Sequence, residues 1–131
     1  MSVDAIGNFL TIIRNGIMAG KRDVVAPYSR LKHEISRVLV DEGYIRDVFE
    51  IQLDGPKKHI KLSLKYVDGE SVIHEIDRVS KPGLRIYKGH DGVKPVIGNL
   101  GISIVTTNRG VMSSKKARRL GVGGEVVCTV W

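Results

Sequence analysis

The sequence predicts an α+β protein of two small lobes. The first, residues 1–66, reads helix-strand-helix-strand-strand, and the second, residues 67–131, reads mostly β with one short helix. Three observations predict this. Apolar residues recur at helical spacing as far as Gly43, and alternation with polar residues takes over from Ile45. The turn-forming "VDGE", Val67 to Glu70, then separates two lobes that together suit a chain of 131 residues.

In chain order, Ile6, Phe9, Leu10, Ile13 and Ile17 form the apolar stripe of a first helix between a capping Asp4 and a terminating Gly20. The short "DVVAP" predicts one strand. Ser29 caps a second helix with the stripe Leu31, Ile35, Val38 and Leu39, ended by Gly43. Ile45 to Leu53 and "HIKLSLKYV" predict a strand pair turning at "DGPKK". Beyond the boundary, "SVIHEIDRVS" and "LRIYK" predict short strands around a Pro82-Gly83 turn. "GISIVT" and "GEVVCTVW" predict two more, separated by a helix from Ser114 to Leu120 with Ser113 as cap and Gly121 as stop. In that helix Ala117 and Leu120 are placed to face inward.

The composition excludes several function classes. Hydrophobic residues make up 42% of the chain, enough for a core, but only two Phe and one Trp occur, so that core is aliphatic. One cysteine, Cys128, excludes an internal disulfide framework and a multi-cysteine zinc site. Its β-branched surroundings predict a buried, inert thiol. No stretch is long and apolar enough to span a membrane, and the N-terminus lacks a signal or transit pattern. His33, His59, His74 and His90 have no ligand spacing, so no metal or other cofactor is expected. "GVGGE" lacks phosphate-loop spacing. Asp41 with Glu42, and Glu75 with Asp77, read as solvated surface, and Ser113 and Ser114 read as caps. No catalytic constellation emerges, and no small-molecule substrate or membrane partner is expected.

A net charge of +7 favours a polyanionic partner, although charge alone does not separate RNA, DNA and membrane surface. Distribution says more. Residues 1–65 carry 11 basic and 8 acidic residues and residues 66–131 carry 10 and 6, yet only the second half holds a long acid-free basic run. In "TTNRGVMSSKKARRLGVGGEVVC", Lys115, Lys116, Arg118 and Arg119 project outward, and Lys115 and Arg119 form a like-charge pair four residues apart. A phosphate backbone offsets such a patch; a solvated basic face is the alternative. Thr106, Thr107 and Asn108 donate and accept, and so read base edges or 2′-hydroxyls, with Arg109 and Ser113 beside them. Gly123 and Gly124 let backbone approach a sugar-phosphate chain without a Cβ in the way. The N-terminal lobe offers a smaller polar set: Arg14, Asn15, Arg30 and Lys32.

That basic segment closely resembles the C-terminal signature of the bacterial-type small-subunit ribosomal protein eight family. The resemblance extends over the whole chain: "DAIGNFLTIIRNG" resembles the family's first helix, "YSRLKHEISRVLVDEGYI" its second and "RVSKPGLRIYK" its middle strand pair. It implies a two-lobed structural protein that binds small-subunit ribosomal RNA in the central domain and supports early platform assembly beside neighbouring small-subunit proteins. Some members also repress their own messenger RNA. The implied RNA contacts are chiefly C-terminal, at Thr106, Thr107, Asn108, Gly123, Gly124 and Glu125, with Arg85 and Tyr87 as secondary contacts, Tyr87 by stacking on an unpaired base. Asn108 stands where the family usually has serine, and Ile12 where it usually has arginine.

The sequence therefore reads as a non-catalytic RNA-binding protein of a cytoplasmic ribosome, with an organelle-encoded chloroplast copy also compatible. The basic residues supply salt-dependent affinity, and the uncharged flanks discriminate. The RNA is expected to be an irregular helix, because the major groove of regular A-form RNA is closed to side chains. Rival readings are an RNA-processing enzyme, which requires clustered acids near the patch, and a DNA-binding architectural module.

Overall fold

The computed structural model describes residues 4–89 and 101–131; His90 lies outside them. The chain divides into two compact units, Asn8–Ile73, and Met1–Gly7 with His74–Trp131.

Within the first unit lie most of α1 (Ala5–Met18), then β1 (Asp23–Pro27), α2 (Arg30–Asp41), β2 (Ile45–Gln52) and β3 (Lys58–Leu64). The strands form an antiparallel sheet in the order β1-β3-β2. Phe9, Leu10 and Ile13 of α1 and Ile35, Val38 and Leu39 of α2 are buried, at the helical spacing the sequence predicts. Val24, Leu62 and Val48 line up across the three strands as one buried row. Burying each large aliphatic side chain contributes about 1.5–3 kcal/mol. Ser29 caps α2 by accepting from the Lys32 amide at 3.2 Å, and Gly43 follows its end at φ +80°. Gly16 is also buried; a Cβ there would run into Val24, so α1 and β1 approach closely only because the residue is glycine.

Two features were not legible in the sequence. In β2, Ile45 and Val48 are both buried although an odd spacing points them to opposite faces. A bulge at Arg46 absorbs the extra residue, with Ile45 opposite Leu64 and Asp47 opposite Ser63. "VDGE" is itself a tight hairpin joining β4 (Tyr66–Val67) to β5 (Glu70–Ser71) inside the first unit. Asp68 and Gly69 both take positive φ, 53° and 82°, as a two-residue hairpin turn requires.

The second unit contains β6 (Ile76–Arg78), β7 (Tyr87–Lys88), β8 (Ile102–Thr107), β9 (Gly110–Ser113), α3 (Ser114–Leu120) and β10 (Gly124–Val130). Its sheet runs β6-β10-β8-β9, with β7 also paired to β10. The expected pair around Pro82-Gly83 is corrected here: β6 and β7 are not partners but lie along one edge of β10. Buried Ser80 closes the excursion between them, its hydroxyl accepting from the Ile86 amide at 2.8 Å. Strand β9 has no signature in the sequence, because four residues running straight into a helix cap show no alternation. Cys128 is fully buried, and burial pushes its thiol up to about 12, which leaves it inert.

Asp4 anchors the start of the chain to this unit. Its carboxylate accepts from the Gly7 amide at 3.0 Å and from Arg78 Nε at 3.2 Å, while Arg78 Nη1 donates to the Val127 carbonyl at 2.8 Å. Burial on its own raises the Asp4 pKa, but the Gly7 amide and the Arg78 guanidinium outweigh it and hold the carboxyl below its ordinary 3.8. A lowered folded pKa stabilises above the ordinary value, and the gain is lost as pH falls through the folded value. Asp4→Asn, which keeps a capping oxygen but no charge, is expected to cost about 1 kcal/mol at neutral pH. Urea unfolding at about pH 7 and about pH 2.5 checks this; an equal cost at both would remove the ion pair from the account.

Candidate nucleic-acid interface

Pairing in the second unit gathers residues that are scattered along the chain. Tyr87 of β7, Glu125 of β10, Thr106 of β8 and Val111 of β9 are opposed in register and form one cross-strand row. The adjacent row is Lys88, Gly124, Thr107 and Gly110. Because successive strand residues face opposite sides, the pleat separates Thr106 from Thr107, which the sequence grouped together. Tyr87 is 67% exposed, a free aromatic face on the first row. Arg85 Nη1 donates to Glu125 Oε2 at 3.0 Å. That contact explains an acid on a basic surface: it holds Arg85 over the row.

Asn108 and Arg109 are the exposed tip of the β8-β9 hairpin. Neither has positive φ; Gly110, at +111°, makes the bend. The Thr107 hydroxyl donates to the Gly110 carbonyl at 2.8 Å and accepts from the Arg109 amide at 3.0 Å. Its donor is therefore engaged in shaping the turn, leaving Asn108 and Arg109 as the outward-directed polar groups.

Helix α3 is built by local rules. Ser113 caps it, accepting from the Lys116 amide at 3.2 Å, and Gly121 ends it in the left-handed conformation at φ 69°. Ser113 is buried and stands behind the surface. Ser114 docks the helix on β8 by accepting from the buried Ser103 amide at 3.0 Å. Ala117 is buried as expected; Leu120 is not, at 37% exposure. Lys115, Lys116, Arg118 and Arg119 are all exposed, and none is among the ion pairs of the described residues.

Gly123 and Gly124 have a packing role that the sequence did not reveal. A Cβ on Gly123 would meet the Lys88 carbonyl and come within 2.6 Å of Gly89 Cα, and one on Gly124 would meet the Thr106 carbonyl. They admit neighbouring backbone, not only a ligand.

The N-terminal candidates belong to the other unit. Arg14 is half-buried and Asn15 exposed. Arg30 is exposed and pairs with Glu34 at 3.4 Å. Lys32 is buried, its ammonium donating to the Pro27 carbonyl at 3.3 Å. Among the described residues no group of three or more His, Cys, Asp or Glu is placed to hold a metal ion, and no helix is long and apolar enough to cross a membrane.

Comparison of the chain with known proteins finds a family that spans both units. The family model described as ribosomal protein S8 matches residues 4–131. The chain belongs to the ribosomal protein S8 family. It is 52% identical over 127 residues to the small ribosomal subunit protein uS8 of Paracidovorax citrulli, covering 97% of this chain and 96% of the relative. The uS8 proteins of Delftia acidovorans and Burkholderia lata are each 50% identical over the same shares. Membership of the S8 family makes this chain a ribosomal protein of the small subunit, not an enzyme.

Proposed function

We propose that this S8-family chain binds small-subunit ribosomal RNA directly, in the central domain, and holds that RNA for platform assembly beside neighbouring small-subunit proteins. The observation that carries the reading is α3: four exposed cations on seven residues, with no ion-pair partner among the described residues. Lys115, Lys116, Arg118 and Arg119 would neutralise phosphates. The β8-β9 tip and the Arg85–Tyr87 row would supply hydrogen bonds and stacking to an irregular helix. Its own messenger would meet the same surface wherever it folds to a like shape. The site of action is then the ribosome, cytoplasmic as in bacteria or that of a chloroplast.

Footprinting on small-subunit ribosomal RNA tests the reading, and protection nowhere in the central domain would overturn it. Asn108→Ala is expected to weaken matched RNA about tenfold and leave random RNA nearly unchanged. Equal loss on both would take base or 2′-hydroxyl reading away from Asn108. Comparing the matched hairpin with its DNA counterpart separates an RNA reader from a DNA-binding module.

A further inference from the structure

Arg22 and Arg46, 24 residues apart in sequence, line one cleft at an end of the first unit's sheet. Arg22 directly precedes β1, and its carbonyl accepts from the Leu64 amide at 2.9 Å. Arg46 is the extra residue of the β2 bulge beside Leu64. The strands β1 and β2 flank β3 on opposite sides, so each delivers an arginine to the end of β3. Both line a cleft of about 370 Å³ with Gly20, Ser63, Leu64 and Tyr66.

No acid lines this cleft. Among the described residues neither guanidinium has an ion-pair or hydrogen-bond partner. Two acids stand near by, Asp23 with Oδ1 accepting from the hydroxyl of cleft-lining Ser63 at 3.0 Å and Asp47 with Oδ1 accepting from the Val48 amide at 2.8 Å, but neither forms an ion pair with Arg22 or Arg46. The Tyr66 hydroxyl donates to the Lys21 carbonyl at 2.7 Å, which fixes the ring as a wall of the cleft. Both arginines are exposed, so solvent screens their mutual repulsion, and an anion seated between two like charges on one cleft removes what remains of it. The guanidinium fork matches phosphate oxygens, and an aromatic wall suits a nucleotide better than a carboxylate side chain.

We propose that this cleft grips a phosphodiester of the ribosomal RNA backbone, as a second RNA contact carried by the N-terminal unit. Arg22 and Arg46 hold the phosphate, and Tyr66 packs against the adjoining ribose or base. The proposal rests on the RNA-binding reading above, and its test separates the two.

The full chain is titrated with a long RNA spanning the central domain and with a short irregular hairpin from it that suits the C-terminal surface. The double variant Arg22→Gln/Arg46→Gln is expected to bind the long RNA about tenfold more weakly, with a salt slope shallower by about one unit. Binding to the short hairpin stays unchanged. Arg22→Lys/Arg46→Lys restores the salt slope but only part of the affinity, because the fork is lost. Tyr66→Leu weakens the long RNA at unchanged slope, and it serves as the readout if thermal melting shows the arginine variant to be destabilised. Equal affinity of the wild type and these variants for the long RNA overturns the cleft assignment, as does a loss confined to an acidic peptide such as polyglutamate. A wild-type chain that binds neither RNA overturns the RNA reading itself.

Discussion

Replacing Lys115, Lys116 and Arg119 together by alanine is expected to weaken RNA binding on the order of 100-fold at physiological salt, and to make the salt slope shallower by about two to three units. All three side chains are exposed, and none takes part in an ion pair of the described residues. On the proposed reading their loss removes phosphate neutralisation, and it breaks no ion pair of the described residues. The fold is expected to gain slightly. Lys115 and Arg119 repel across one helical turn, and alanine is the better helix former, so stability rises by a few tenths of a kcal/mol. Opposite signs for affinity and stability in the same variant are the signature of a surface kept for a ligand. Filter binding across a salt series, with thermal melting alongside, checks both. Unchanged affinity and slope would return α3 to the role of a solvated face.

The second large effect is structural. Gly124→Ala is expected to cost about 1–3 kcal/mol, because the new Cβ meets the backbone carbonyl of Thr106, which cannot swing aside as a side chain does. In a chain of 131 residues each kcal/mol lowers the melting temperature by about 3–4 °C. Gly83 is the control: nothing lies within 4 Å of a Cβ there and its φ is not positive, so Gly83→Ala leaves stability the same or slightly raised. Equal melting temperatures for the two variants would refute the packing role. The same clash pushes Thr106 out of its row with Glu125 and Tyr87, so matched-RNA affinity falls with stability.

Glu125 shows how the two levels of reading differ. Its sequence neighbours are glycine and valine, and nothing there accounts for an acid on a basic segment. Its partner, Arg85, lies 40 positions upstream and arrives only because β7 and β10 pair. Lys32 shows the converse. Beside Arg30 it reads as a surface cation, yet the fold directs its ammonium to the Pro27 carbonyl.

The elements legible from sequence are those governed by neighbours within about one helical turn. The stripe Phe9, Leu10 and Ile13, the Ser29 and Ser113 caps, the left-handed Gly121 and the outward cations of α3 all follow from helical spacing and local hydrogen bonding. The tertiary structure alone decided what depends on distant partners. It paired β6 and β7 with β10 and not with each other, tied Asp4 to Arg78, and fitted Gly124 against Thr106. It also brought Arg22 and Arg46 to one cleft through a bulge that serves the burial of Ile45 and Val48. Strands of two to four residues are too short to carry a pattern, and a contact across 24 or 40 residues is specified by the shape of the whole sheet.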